Sequence, residues 1–209
     1  MTATAPACHP LSFPRRLGWV LALLAAVTTI YLGSNHFPID TPRPLPLTVV
    51  DETLGWHAWT IWPYWLLLVL APAFILAISD RRVLLATLRA YAGAMALNAL
   101  VWMAWPTCLA RRALPADLDP ATDAAWRLLH FLDGSNNCFP SGHITAPVIA
   151  VAGYCAQYPR ARRWAWPLTL LLFPSVVTTG QHYAWDILGG AASAALALWW
   201  VRRELCQAR

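Results

Sequence analysis

The chain contains no lysine. All fifteen of its basic residues are arginine, set against ten acids in 209 residues, for a formal charge of +5. Charge of either sign is scarce, at 12% of residues, while 58% are hydrophobic. A water-soluble domain of this length encloses one core and needs a charged surface around it, and too few charges exist here to supply one. No acidic cluster has metal-ligand spacing, and there is no internal repeat or low-complexity tract. These absences exclude an ordinary soluble domain and a repeat array.

What the sequence has instead is long apolar blocks. Six of them approach the ~20 residues needed to cross a hydrocarbon layer. They run approximately Leu17–Gly33, Thr60–Ser79, Val83–Pro106, Cys138–Tyr158, Trp164–Gly180 and Ala184–Val201. Backbone groups in lipid must be satisfied within their own segment, so the spacing predicts helices and not strands. The expected fold is an all-α polytopic bundle of six membrane-spanning helices, one integral-membrane domain over residues 1–209.

The arginines are distributed unevenly. With the N-terminus inside, Arg15, Arg16, Arg81, Arg82, Arg89, Arg160, Arg162, Arg163, Arg202, Arg203 and Arg209 fall on the cytoplasmic side, and Arg43, Arg111, Arg112 and Arg127 outside. That is the positive-inside bias, and it predicts an inner-membrane protein with both termini cytoplasmic. The basic character is thus a topology signal, and nucleic acid is not an expected partner. Tryptophans at the predicted span ends, Trp56, Trp59, Trp62, Trp102, Trp105 and Trp185 outside with Trp164, Trp166, Trp199 and Trp200 inside, form an aromatic belt. Arg15-Arg16 before the first apolar block also has the form of a signal sequence, but the block is read here as the first span.

The inner connections are short and the outer ones long. Ser34 to Trp59 is rich in proline, and Thr107 to Asn137 carries Asp117, Asp119, Asp123 and Asp133 around an amphipathic stretch, Ala124–Leu132, expected to lie along the outer interface. Three constellations of reactive residues lie on this side. The first is Cys138-Phe139-Pro140-Ser141-Gly142-His143, where Pro and Gly break regular structure as a helix begins. The free N–H groups of a helix start form an anion site, here beside a hydroxyl and an imidazole. The bland alternative is an interfacial turn with a capping serine.

The second is His182-Tyr183-Ala184-Trp185-Asp186. Spacing of i, i+4 puts His182 and Asp186 on one helical face, so the carboxylate can accept from the imidazole and fix its tautomer. The alternative is a structural cap. The third is Arg111-Arg112, which runs against the charge rule the rest of the chain obeys. The planar guanidinium suits phosphate oxygens, either of a substrate or of anionic headgroups. Together these are the parts for phosphoryl transfer through a phosphohistidine. A His₂–Asp metal site would need a third protein ligand and a tuned shell of groups around the ligands, and neither metal nor cofactor is expected.

These residues resemble the type-2 phosphatidic acid phosphatase superfamily. Phe-Pro-Ser-Gly-His at 139–143 is similar to its second motif, and His182 with Asp186 to the His-x-x-x-Asp of its third. The resemblance implies six helices, His182 as nucleophile, Asp186 as its orienting partner and His143 as the acid for the leaving alkoxide. It makes Ser141 and Gly142 phosphate donors. The family's first-motif lysine has no counterpart here, and the arginine six residues before the third-motif histidine is replaced by Val176. In that respect the chain resembles the inositol-phosphorylceramide and sphingomyelin synthase branch, where the third motif begins His-Tyr. A proline five residues ahead of an arginine, as in Pro106 to Arg111, points the same way and makes Arg111 the expected phosphate-binding arginine, with Arg112 second.

The expected function is a lipid phosphate phosphatase, whose partners are a phosphorylated lipid and the surrounding membrane lipids. The alternatives are transfer of a lipid headgroup to another lipid's hydroxyl, and a non-enzymatic transporter, which would place its polar residues at mid-membrane. Cys108 and Cys138 are the two cysteines on the oxidising side, each beside a proposed motif, either bridged by a disulfide or present as unpaired thiols.

Overall fold

The computed structural model describes residues 10–206, and Arg209, expected on the cytoplasmic side, lies outside them. The chain runs through helices α1 (Phe13–His36), α2 (Val49–Leu54), α3 (Ile61–Ala77), α4 (Arg81–Ala104), α5 (Pro120–Leu132), α6 (Gly142–Gln157), α7 (Arg162–Leu172), α8 (Pro174–Thr178) and α9 (Ala184–Cys206). The two-residue strands β1 (Arg43–Pro44) and β2 (Thr107–Cys108) pair in parallel and join the loop after α1 to the loop after α4.

The helix starts follow local chemistry. Asp80 caps α4 by accepting from the Arg82 and Val83 amides, and Asp119 caps α5 in the same way from Ala121 and Thr122. Thr48 and Asp51 form a reciprocal capping box on α2. The amphipathic helix expected in the loop after α4 is there, beginning at Pro120 rather than at Ala124, with its Trp126 and Leu129 buried. Trp62 and Trp65 on α3 donate to Thr122 Oγ1 and the Ala125 carbonyl, anchoring α5 across the span.

Among the described residues, four helices are long and apolar enough to cross a membrane: α1, α3 with the short turn before it, α4 and α9. They correspond to the first, second, third and sixth predicted spans. The other two differ from expectation. The fourth begins as a helix only at Gly142, because the residue before a proline disfavours helical geometry and Phe139 instead donates its amide to Thr107 Oγ1. The fifth is not one helix. Pro174 has no N–H to donate, the Phe173 amide closes a tight turn onto the Leu170 carbonyl, and α8 starts afresh with the proline in its first turn.

Helices α4 and α6 form the centre: α4 packs against α1, α6 and α9, and α6 against α3, α4, α7 and α9. Leu66, Val69, Leu100, Leu171, Leu188 and Leu196 point outward and exposed, as side chains facing hydrocarbon do. Arg89, the charge inside the third span, forms an ion pair with Glu204 on α9. Close packing places the two histidine motifs together. A Cβ on Gly190 would come within 2.5 Å of the Ser141 carbonyl and 3.0 Å of Ile144 Cβ, so the lack of one lets α9 seat against the start of α6. Beside this crossing the Thr145 hydroxyl accepts from Asn98 Nδ2 at 3.0 Å and lies 3.0 Å from the Gly190 carbonyl, joining α4, α6 and α9.

Candidate active site

His182 precedes α9 and is almost wholly buried. Its Nδ1 lies 3.1 Å from Asp186 Oδ2 and 3.0 Å from the Cys138 carbonyl, two acceptors that together require the proton on Nδ1. Nε2 then carries a free lone pair. The Tyr183 amide donates to the same Asp186 oxygen at 2.8 Å, which locks the carboxylate as well as the imidazole. Asp186 Oδ1 is buried with no hydrogen-bond partner. An uncompensated buried carboxylate is costly, so the i, i+4 geometry is needed here for stability as well as for chemistry.

His143 is the second residue of α6. Its Nδ1 lies 2.9 Å from His182 Nε2 and 3.2 Å from the Tyr64 hydroxyl on α3. With a lone pair on His182 Nε2, the short contact requires His143 Nδ1 to carry the proton and donate it. The rings meet edge to face, with centroids 5.2 Å apart. On the far side of the ring, His143 Nε2 lies 3.9 Å from Asp133 Oδ2.

The backbone around the pair is equally organised. The Ser141 amide donates to the Asp186 carbonyl at 3.1 Å, tying one motif to the other. The first bonds of α6 run from the Ile144 and Thr145 amides to the Ser141 carbonyl, so the Gly142 and His143 amides stand ahead of the helical ladder. Ser141 Oγ is buried and without a partner, a hydroxyl held at a helix start with its donor unspent.

The two arginines go to opposite sides. Arg111 is half-buried, and its guanidinium donates to the backbone carbonyl of Asp133, on the His143 side. Arg112 is exposed and lines an outer cleft of about 80 Å³ with Asp51, Gly180 and His182. A second cleft, of about 200 Å³, lies between α1, α3, α4 and α6; it is walled by apolar side chains such as Leu24, Leu68 and Met95 and reaches His143. The histidine pair therefore stands between an apolar slot and a smaller cleft that carries Asp51 and Arg112 among apolar side chains such as Leu47, Trp56 and Val177.

All the residues singled out from the sequence lie around this pair. Missing from that set were Asp133, Tyr31 and Tyr64. Tyr31 donates to Asp133 Oδ1 at 2.5 Å. Burial pushes the Asp133 carboxyl up from its ordinary value, while the Tyr31 hydrogen bond and the Arg111 charge pull it back. The available signal was weak: a tyrosine hydroxyl at the outer end of an apolar span demands a partner. Cys108 and Cys138 are both free thiols, so the disulfide alternative is not realised in the structure. Among the described residues, no three His, Cys, Asp or Glu side chains are grouped to hold a metal ion.

Fold and site together define a mostly helical membrane protein with a carboxylate-supported histidine pair at one end of its bundle. A family model described as the PAP2 superfamily matches residues 47–200, and the chain belongs to that superfamily, whose members are generally phosphatases or phosphotransferases. No curated protein and no solved structure matches the chain.

Proposed function

We propose that the protein is a membrane lipid phosphate phosphatase working through a phosphohistidine. The observation that carries this is the 2.9 Å contact between His143 Nδ1 and His182 Nε2, with the opposite nitrogen of His182 fixed by Asp186. A lone pair aimed at a proton donor is the arrangement required on the two sides of a phosphoester about to be cleaved. His182 attacks phosphorus and His143 protonates the leaving alkoxide. The Gly142 and His143 amides, the Ser141 hydroxyl and Arg111 or Arg112 bear the charge on the phosphoryl oxygens. The direct contact fills the place the phosphorus takes, so substrate must part the two rings.

The lipid assignment is supported by the apolar slot that ends on His143. In an in-line displacement the leaving group departs opposite the nucleophile, on the His143 side, and an alcohol leaving there enters an apolar channel. The alternative acceptor, another lipid's hydroxyl in place of water, uses the same residues. The loss of lysine, and of an arginine ahead of His182, favours this headgroup-transfer reading, because two of the family's phosphate-binding charges are gone. The site faces the exterior or periplasm in our reading, with six membrane crossings and both termini cytoplasmic, as the arginine distribution supports.

The test is to incubate membranes containing the protein with labelled phosphatidic acid, with and without an alcohol-bearing lipid acceptor. Free labelled phosphate indicates hydrolysis, whereas label on the added lipid indicates transfer. Unaltered turnover in His182→Gln would refute both.

A further inference from the structure

Helix α1 stands outside the matched residues 47–200, yet it reaches the site. Asn35 Nδ2 donates to the Asn136 carbonyl at 2.9 Å and Asn136 Nδ2 to the Asn35 carbonyl at 2.7 Å. Asn137 Nδ2 donates to the Tyr31 carbonyl at 3.0 Å. The outer end of α1 thus holds the segment from Asp133 to Asn137, which leads directly into the His143 motif. Within this clamp Tyr31 occupies Asp133 Oδ1, and Asp133, 7% exposed, turns Oδ2 toward His143 Nε2. The result is a row of four groups, Asp133, His143, His182 and Asp186, with a carboxylate at each end. The polar groups facing the outer half of that row are Tyr31 and Asn35 from α1, Tyr64 from α3 and Arg111 from the loop after α4.

We propose that Tyr31 and Asp133 are positioning residues for His143, holding its Nε2–H edge so that Nδ1 delivers a proton to the leaving alkoxide. This rests on His182 acting as nucleophile and His143 as acid. In the first step the His182 Nε2 lone pair forms the N–P bond. The P–O bond to the alcohol breaks with its electron pair on oxygen, and that oxygen takes the His143 Nδ1 proton. His143 enters this step as the imidazolium, its charge set against the Asp133 carboxylate, and is left neutral with its remaining proton on Nε2. In the second step Nδ1 takes a proton from the acceptor hydroxyl as its oxygen bonds to phosphorus, and the P–N electrons return to His182. Asp133 stays ionised throughout and never transfers a proton. At 3.9 Å it is beyond direct hydrogen bonding in the resting pair. Substrate parts the rings, and a His143 ring retreating from His182 moves its Nε2 toward Asp133, so the hydrogen bond closes as the phosphate arrives.

The discriminating experiment compares leaving groups. The full-length protein is assayed in single turnover, which reads the first step alone, on phosphatidic acid and on a nitrophenyl phosphate monoester whose ring carries a long alkyl chain and whose phenolate departs without an acid. The second step, in which His143 is the base, is common to both substrates. A general acid is worth roughly 10²–10⁴-fold on a poor leaving group. Asp133→Asn should therefore slow phosphatidic acid turnover by roughly 10²-fold and Tyr31→Phe by roughly 10-fold, with aryl phosphate turnover changed by less than about threefold. Equal losses on both substrates would show a structural role and overturn the proposal, as would no loss in either variant. Tyr31→Phe, which removes one oxygen, guards against a misfolded Asp133 variant. His143→Gln reports on the underlying reading: it must show the same leaving-group split, and if it does not, that reading fails and the proposal with it.

Discussion

The two histidines are held by different kinds of structure. His182 takes its support from its own stretch of chain: Asp186 four residues on, with the Tyr183 amide fixing that carboxylate, and one remote carbonyl from Cys138. His143 is surrounded by groups from three separate parts of the sequence, Tyr64, His182 and Asp133, the last of them held by Tyr31 from a fourth. A locally built partner survives small shifts of helix packing, because both members ride on one element. An assembled one depends on α1, α3 and the outer loop keeping their places. The proposed nucleophile is therefore on the rigid side of the site and the proposed proton donor on the adjustable side, the side that would have to move if substrate parts the rings.

The largest effects should come from the local half. His182→Gln should abolish turnover of phosphatidic acid, a loss of at least roughly 10⁴-fold, measured as phosphate release from purified protein in detergent. Asp186→Asn should retain a measurable remnant, because the carboxylate orients the imidazole and does not form the bond to phosphorus. A remnant in His182→Gln as large as that in Asp186→Asn would break the contrast. The parent's activity and the Asp186→Asn remnant should be unchanged by a chelator.

Next in size is the packing that joins the halves. Gly190→Val would drive side-chain atoms into the Ser141 carbonyl and Ile144, separating α9 from α6. We expect a lower melting temperature in detergent and loss of turnover on both kinds of leaving group, unlike the split expected at Asp133. Overpacking of this kind costs about 1–3 kcal/mol, more where the obstacle is backbone. A Gly190→Val protein with normal stability would mean the close approach is dispensable.

How much of this was legible follows the same division. The i, i+4 spacing of His182 and Asp186 states their pairing outright, and apolar block length marks four of the helices without ambiguity. Breaks are harder. Pro174 interrupts the fifth predicted span, yet Pro72 and Pro147 sit inside α3 and α6 without ending them, so a proline alone does not say whether a helix stops. Asp133 stood in view as a loop acid, but nothing in its neighbours ties it to a tyrosine 102 positions earlier. Contacts of that range follow from tertiary packing, which periodicity does not encode. The arginine pair fell between these cases: its oddity on the outer side was visible, whereas the divergence of the two side chains was not.

That divergence yields a smaller effect. Arg111 is half-buried and bonded to the Asp133 backbone on the His143 side, so Arg111→Ala should lower kcat/KM by about 2 kcal/mol, roughly 30-fold. Arg112 is exposed in the outer cleft beside His182, where salt screens it. Arg112→Ala should mainly raise KM, by less than about tenfold, and the difference from the parent should shrink in high salt. Small, equal and salt-sensitive losses at both positions would mean that the arginines only attract anionic headgroups.

The smallest effect belongs to the cysteines, which touch both halves through backbone and not through sulfur. The Cys138 carbonyl accepts from His182 Nδ1, while its thiol points toward the Ser135 and Gln181 carbonyls at 3.6 and 3.9 Å. A serine hydroxyl can donate to the same carbonyls, and the backbone acceptor is untouched, so Cys138→Ser should stay within about twofold of the parent. Cys108 lies on β2, where burial pushes its thiol up from the ordinary value and so lowers the thiolate fraction needed for disulfide exchange. Both thiols are unpaired in the structure. Labelling of the unfolded, unreduced protein should accordingly count all five cysteines of the sequence. A count of three that rises to five after reduction would instead show Cys108 and Cys138 bridged. That bridge would fix the loop after α4 to the segment before α6 and stiffen the His143 side, the half that has to give way for substrate, so reduction should then raise turnover.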